Sequence, residues 1–259
     1  MPPLTDYFCL RRKFLLQNLI SRNLKIRYRK SLLGMMWTVL IPASSAVVYY
    51  VIFKFVMKVT VENYLLLILS GLIPWTFFVS ALNSGTETIV GNYSLLNKVP
   101  LPPQALVLSD IMTHFLNFML SLPVIAVVMV ITETVPGVTL LQYFVLMGLL
   151  FLQSYGLGLI FGISYVYFRD MRFVVALILQ FWFYLTPVMY ASHMVPEDFR
   201  FLLWLNPVGV TFEGFHAAAV DHRWLGANEW LIILAWCLGT NFLAYGLLQR
   251  QKYRIIELL

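Results

Sequence analysis

The sequence predicts an all-α integral membrane protein, and three observations carry that expectation. Hydrophobic residues make up 60% of the 259 residues and charged residues only 12%, a ratio that a soluble domain would expose as large apolar patches. Several apolar runs reach the roughly 20 residues that a helix needs to cross hydrocarbon about 30 Å thick. The runs are also unbroken, as in Val124 to Ile131 and Val145 to Leu152, whereas a transmembrane barrel alternates apolar and polar residues along strands of about ten.

The first element, residues 1–33, carries Arg11, Arg12, Lys13, Arg22, Lys25, Arg27, Arg29 and Lys30 against one acid, Asp6. Its charges are not followed by the short apolar run and small residues of a cleavable signal peptide. At helical periodicity Leu15, Leu19 and Ile26 fall close to Phe8, so residues 5–30 are expected to form an amphipathic helix on the membrane surface. Leu16, Ile20 and Leu24 lie off that stripe and point to a second apolar contact, with the bundle or a partner. The bland alternative is an anchor that only fixes topology.

Six spans are then expected at 34–57, 64–83, 108–132, 141–166, 173–190 and 229–249. Within one membrane domain covering 1–259, the division is an interface helix at 1–33, spans one to five over 34–190, a polar aromatic segment at 191–228, span six at 229–249 and a tail at 250–259. Between the second and third spans, Gly91 to Pro103 reads as a short amphipathic element around Tyr93, Leu95 and Leu96, closed by Pro100, Pro102 and Pro103. Residues 191–228 are too polar to span, and must leave the bilayer or dip into it where protein covers the backbone.

Six spans put both termini on one side. Of the 18 Lys and Arg residues, those outside Lys54, Lys58, Arg200 and Arg223 all fall on the side of the termini, which the positive-inside rule makes cytoplasmic. The net charge of +6 comes from this asymmetry. It does not suggest nucleic acid, for which basic patches interleaved with aromatics are missing.

Chemistry-bearing patterns are sparse. No Gly-x-x-x-x-Gly-Lys-Ser/Thr loop occurs, so ATP is not expected to bind here. Cys9 and Cys237 read as packing residues, and His114, His193, His216 and His222 offer no ligand pattern, although His193 and Glu197 are one turn apart. Asp110 and His114 sit at the start of the third span, and no chain of carboxylates crosses the bilayer as in proton- or sodium-driven carriers. Ser121 and Ser154 lack a base for protease chemistry. Asp221, His222 and Arg223 form the nearest approach to a catalytic group, which keeps an enzyme acting on lipid-linked glycans as the alternative from another class.

The positive signal is aromatic. Phe, Trp and Tyr make up 16% of the chain, and Trp37, Tyr49, Phe53, Phe77, Phe78, Phe181 and Tyr184 lie inside spans. Trp37, Ser45, Tyr49 and Phe53 can share one helix face. Such faces suit the C–H surfaces of sugars, with ordinary interhelical packing as the alternative.

Arg22-Asn-Leu-Lys-Ile-Arg-Tyr-Arg-Lys-Ser-Leu-Leu-Gly-Met-Met-Trp37 followed by Pro42 resembles the entry to the first span of type-2 ABC exporter permeases. Tyr167-Phe-Arg-Asp170, Thr186-Pro-Val-Met-Tyr190 and Asn206-Pro-Val208 extend the match in the same order. The subgroup it looks like exports O-antigen, capsule and teichoic acid polysaccharides. The resemblance implies a homodimer in the bacterial inner membrane that works with two copies of a cytoplasmic ABC ATPase. It implies that residues 1–33 form an interface helix, that Tyr93, Leu95, Leu96 and Lys98 belong to a coupling helix seated on the ATPase, and that 191–228 hold short external re-entrant helices. The substrate so implied is a polyprenyl-diphosphate-linked polysaccharide, with Arg27, Arg29 and Lys30 suited to the diphosphate at its entry. Export of a drug or another lipid is the alternative cargo.

Overall fold

Hydrocarbon offers a backbone no hydrogen-bond partner, so each apolar run of this chain closes its own N–H and C=O groups as helix. The computed structural model describes residues 4–29, 33–56, 58, 63–98, 101–134 and 137–258, and among them there is no strand. Helix α1 (Leu4–Tyr28) precedes a single 3-10 turn at Gly34–Met36, α2 (Trp37–Val51) and a π-helical turn at Ile52–Val56. Then come α3 (Tyr64–Gly91), the short α4 (Tyr93–Lys98), α5 (Pro103–Ile131), α6 (Leu140–Tyr167) and α7 (Met171–Leu185). Two 3-10 turns lead to α8 (Phe201–Leu205), α9 (Gly209–Ala219) and α10 (Ala227–Leu258). The stretches Gly34–Val56, Tyr64–Gly91, Pro103–Ile131, Leu140–Tyr167 and Ala227–Gln251 are long and apolar enough to cross a bilayer, and α7 adds a sixth, shorter apolar helix.

Several boundaries differ from those the sequence suggests. Helix α3 continues to Gly91 instead of stopping at 83, and α5 starts at Pro103 instead of 108. The prolines expected only to stop a helix also begin one, since the first helical position needs no N–H donor. Helix α10 passes through the expected tail at 250–259 as far as Leu258, and the Tyr167 hydroxyl of α6 donates to Gln251 Oε1 at 2.6 Å. The predicted stripe on α1 holds for Leu15 and Leu19, which pack on Leu101 and Leu106, but Ile26 is 62% exposed.

The largest difference is at the fifth span. Helix α7 has 15 residues and is about 22 Å long, short of a hydrocarbon core of about 30 Å. It ends because Pro187 lacks an N–H and forces Thr186 out of the helical region, to φ −107° and ψ 136°. Asn206 covers the break. Its amide donates to Leu185 O at 3.2 Å and Thr186 Oγ1 at 2.9 Å, while its Oδ1 accepts from Trp182 Nε1 at 2.7 Å and Val208 N–H at 3.1 Å.

The chain that follows re-enters the bundle as α9, whose residues from Gly209 to Ala219 are buried except Glu213. Polar side chains of α6 and its N-terminal turn hold this segment: Thr139 donates to Ala218 O at 3.0 Å, Gln153 donates to Pro207 O at 2.9 Å, and Gln142 accepts from Leu225 N–H at 2.8 Å. Gly71 of α3 makes the room, since a Cβ there would lie 2.7 Å from His216 Nε2.

Helix α3 is the centre of the bundle, packed against α2, α5, α6, α7 and α9. Its crossing with α6 is a backbone-to-backbone approach through Gly85, Gly158 and Gly162. A Cβ on Gly162 would stand 2.8 Å from Gly85 O. Small residues serve this purpose in lipid, where close packing replaces the hydrophobic effect as the force between helices.

Gly162→Leu is therefore expected to cost about 1–3 kcal/mol or prevent assembly of the bundle, whereas Gly148→Leu on the same helix, where a Cβ meets nothing within 4 Å, leaves stability near wild type. Thermal unfolding in detergent or nanodiscs distinguishes the two.

Candidate functional site

The end of α1 is pinned to the bundle by three side chains. Arg22 donates to Asn92 Oδ1 at 2.6 Å, and Tyr28 donates to Asn117 Oδ1 at 2.8 Å. Arg27 lies 2.9 and 3.1 Å from the two ring nitrogens of His114. A neutral imidazole has one acceptor nitrogen, so one of these contacts is a hydrogen bond and the other is packing of the guanidinium against the ring. Burial also raises the Tyr28 phenol above its ordinary range. Asn92 sits between α3 and α4 and itself donates to Thr88 O at 2.9 Å, so Arg22 ties α1 to the turn that starts α4.

The bundle side of this seam is a polar stripe on α5. Asp110, His114, Asn117 and Ser121 recur at steps of four, three and four residues, which puts them on one helix face. Asp110 accepts from Ser84 and, at 2.9 Å, from Thr88 of α3. Ser121 donates to Thr38 O of α2 at 3.0 Å. Four helices thus share one hydrogen-bonded seam, as burial of polar groups in a dry bundle requires.

Beside the seam lies an open cleft of about 330 Å³, with Arg27 and His114 on its polar side and Trp37, Ile41, Phe77 and Phe118 on its apolar side. Phe77 and Phe118 stack at 5.3 Å with planes 17° apart. Trp37 is 48% exposed and presents its ring to whatever enters. The cleft therefore offers one cation and an aromatic wall, which suits a ligand with an anionic head and a ring-bearing or apolar body.

The residues expected from sequence to act together are spread over the molecule. Arg27, Trp37 and Phe77 meet in this cleft. Arg29 is exposed and does not line the cleft, Lys30 lies outside the described residues, and so do the side chains of Phe53 and Lys98. Tyr49 packs half-buried against the core farther along α2. Phe78 is a correction: it has no exposed surface, because Trp75 and Trp182 close over it at 5.5 and 5.4 Å, and it is core and not wall. Phe181 and Tyr184 are exposed on α7.

On α4, Tyr93 is exposed, while Leu95 and Leu96 are half-buried against the α1 cluster. Their apolar surface is partly spent inside the chain instead of wholly presented outward. Sequence reading noticed Asp110 and His114 but missed that Asn117 and Ser121 continue their stripe. Helical spacing of polar residues in an apolar span was the available signal.

At the opposite end of the bundle, Arg223 bridges Glu213 at 3.3 Å and Glu229 at 3.0 Å, and Ser192 donates to Glu213 at 3.1 Å. Burial raises the Glu213 carboxyl above the ordinary range. This ion pairing engages Arg223, while its neighbours in the expected triplet, Asp221 and His222, stand exposed.

The profile of the ABC-2 type transporter family matches residues 15–220. A protein of Klebsiella pneumoniae named O-antigen export system permease protein RfbA is 29% identical over 95% of this chain and 95% of its own length. One of the same name from Myxococcus xanthus is 32% identical over 88% of this chain and 91% of its own length. The polysialic acid transport protein KpsM of Escherichia coli is 26% identical over 76% of this chain and 77% of its own length.

The cycle of Arg22→Ala, Asn92→Ala and the double variant is expected to give a coupling of about 0.5–3 kcal/mol in thermal or chemical unfolding. Additive effects of the two changes would show that α1 is not held through this pair.

Proposed function

Because the chain belongs to the ABC-2 type transporter family, we propose that it is the membrane permease of an ATP-driven exporter whose cargo is a polysaccharide carried on a polyprenyl diphosphate. The role is transport and not catalysis. ATP and Mg are held by a separate ABC ATPase, two copies of which work with a homodimer of this chain in the bacterial inner membrane. The basic bias of the α1 end supports a cytoplasmic location for both termini.

The observation that carries the reading is the cleft in which Arg27 faces Trp37 and Phe77. A lipid diphosphate presents acceptor oxygens that a guanidinium binds in bidentate fashion. Sugar rings present C–H faces that an aromatic wall accepts without strong directional demands. Arg29 and Lys30 add positive charge on the approach. The diphosphate docks at Arg27, and the first sugars of the glycan lie along Trp37 and Phe77.

Onward passage needs a second copy. Helix α2 leaves Ile41 and Val48 exposed, and α7 leaves Phe173, Leu177, Phe181 and Tyr184 exposed. Pairing of two such faces builds a passage between the subunits with Phe181 and Tyr184 beside it, and with Tyr49 along α2.

Closure of the ATPase dimer reaches the bundle through α1 and α4, with Tyr93, Leu95, Leu96 and Lys98 at the contact. The link runs from Arg22 to Asn92 at 2.6 Å and from Tyr28 to Asn117 at 2.8 Å. Rotation of α1 must therefore either drag α5 and the α3–α4 turn or break those bonds. Both outcomes are shifts between discrete packings.

Co-purification with the ABC ATPase subunit of the same export system is expected to yield a complex of two and two, with ATPase activity that responds to a polyprenyl-diphosphate-linked glycan. Replacing Arg27, Arg29 and Lys30 together by Ala is expected to lower export about tenfold or more, the equivalent of one or two lost charge-assisted hydrogen bonds, while the complex still assembles. Normal export by that variant removes the diphosphate role. A chain that purifies without an ATPase overturns the exporter reading.

A further inference from the structure

Two cavities meet at Trp204, at the end of the bundle opposite α1. The first, about 530 Å³, is polar and is lined by Arg200, Glu213, Asn228 and Glu229. The second, about 460 Å³, is an apolar groove along α10 over Ile232, Ala235, Trp236, Gly239 and Leu243. Trp204 lines both. Its carbonyl accepts from Trp236 Nε1 at 3.2 Å, so two tryptophans mark the step between polar and apolar halves. This is where tryptophan rings settle at a membrane interface.

The polar half holds both signs of charge. Arg223 joins Glu213 and Glu229 from one side. Arg200 meets Glu197 only at 3.7 Å, between side chains 46% and 87% exposed, a contact that contributes little and yields readily to a better anion. A purely anionic head would face two carboxylates, and a purely cationic one would face Arg200. A zwitterion with a phosphate and a hydrogen-bonding ammonium satisfies both sets, since ammonium donates three hydrogen bonds and a guanidinium forks onto phosphate.

The apolar half matches an acyl chain in length. From Ile232 to Leu243 the lining residues step by three and four along one face of α10, a rise of roughly 16 Å. One leaflet of hydrocarbon is about 15 Å deep. The groove exists because Ala235 and Gly239 lack bulk, and a Cβ on Gly239 meets nothing within 4 Å. Helix α10 packs on α6 and α9, while Ala235, Gly239 and Leu243 on this face stay exposed.

We propose that the joined cavities bind one phosphatidylethanolamine from the leaflet at that end, its phosphate on Arg200, its ammonium at Glu213 and Glu229, and an acyl chain laid over Gly239. The lipid fastens α8 and the loop before α10 to the membrane beside the re-entrant helix. The site is independent of the cargo and of the cleft at α1.

Native mass spectrometry of the full chain, purified with dioleoyl phosphatidylethanolamine, phosphatidylcholine and phosphatidylglycerol in turn, tests it. Wild type is expected to retain one phosphatidylethanolamine per chain under detergent that strips the other two lipids. Gly239→Phe, at a position where an added Cβ meets nothing within 4 Å, and Arg200→Ala are each expected to lower that retention about tenfold. Leu238→Phe, at a neighbouring position already 68% exposed, leaves it unchanged and controls for added bulk on the helix. Equal retention by Gly239→Phe and wild type, or equal retention of all three lipids, overturns the proposal. So does capture of a water-soluble oligosaccharide by wild type that Trp204→Ala abolishes, which makes the polar half a sugar site.

Discussion

Where α7 stops at Thr186, the backbone of a broken helix lies inside a bundle that offers it no water, and the amide of Asn206 supplies the missing partners. One side chain accepts from Trp182 and Val208 and donates to Leu185 and Thr186. Unpaired groups in such surroundings cost several kcal/mol each, so the break is tolerable only with Asn206 in place. Everything beyond it follows from that permission. The chain turns back, α9 buries itself against α3 and α6, and Gln142 and Gln153 hold its flanks by backbone hydrogen bonds. The glutamines of α6 and the asparagine of the loop thus perform in the bundle what water performs at a soluble protein's surface.

The same logic shapes the opposite end. Arginine side chains of α1 reach polar partners that apolar helices carry on single faces, so the surface helix is bound by direction-dependent contacts as well as by the leucine cluster of Leu15, Leu19, Leu101 and Leu106. Leucine packing tolerates sliding, whereas a 2.6 Å bond from Arg22 to Asn92 does not. A helix held in this way transmits displacement with defined register.

Aromatic residues divide by depth. Trp75, Phe78, Trp182, Phe183 and Phe212 pack ring to ring around α3 at centroid distances of 5.4 to 5.7 Å, edge and tilted geometries that stabilise the core beyond area burial. Trp37 on α2 and Phe181 and Tyr184 on α7 keep much of their surface. The high aromatic content thus serves two purposes that composition alone cannot separate.

Class and family were legible in the sequence, because hydrocarbon imposes one secondary structure and a minimum length on every span. A helix before the first span, the short α4 and the break in the apolar runs after α7 were legible too, since prolines and charge interrupt those runs in a fixed order. Side-chain fate was not. Nothing in the spacing of Phe77 and Phe78 says that one borders a cleft while the other is sealed between Trp75 and Trp182. Nothing in the run from Arg22 to Arg29 says which cation finds a histidine, and the stripe from Asp110 to Ser121 takes on meaning only when Arg27 and Thr38 arrive from other helices. Solvent and chain length act on each segment alone, so sequence determines their consequences. Partners separated by 87 residues, as Arg27 and His114 are, depend on how the helices cross, and that was decided by the close approach of Gly85, Gly158 and Gly162 at the centre of the bundle.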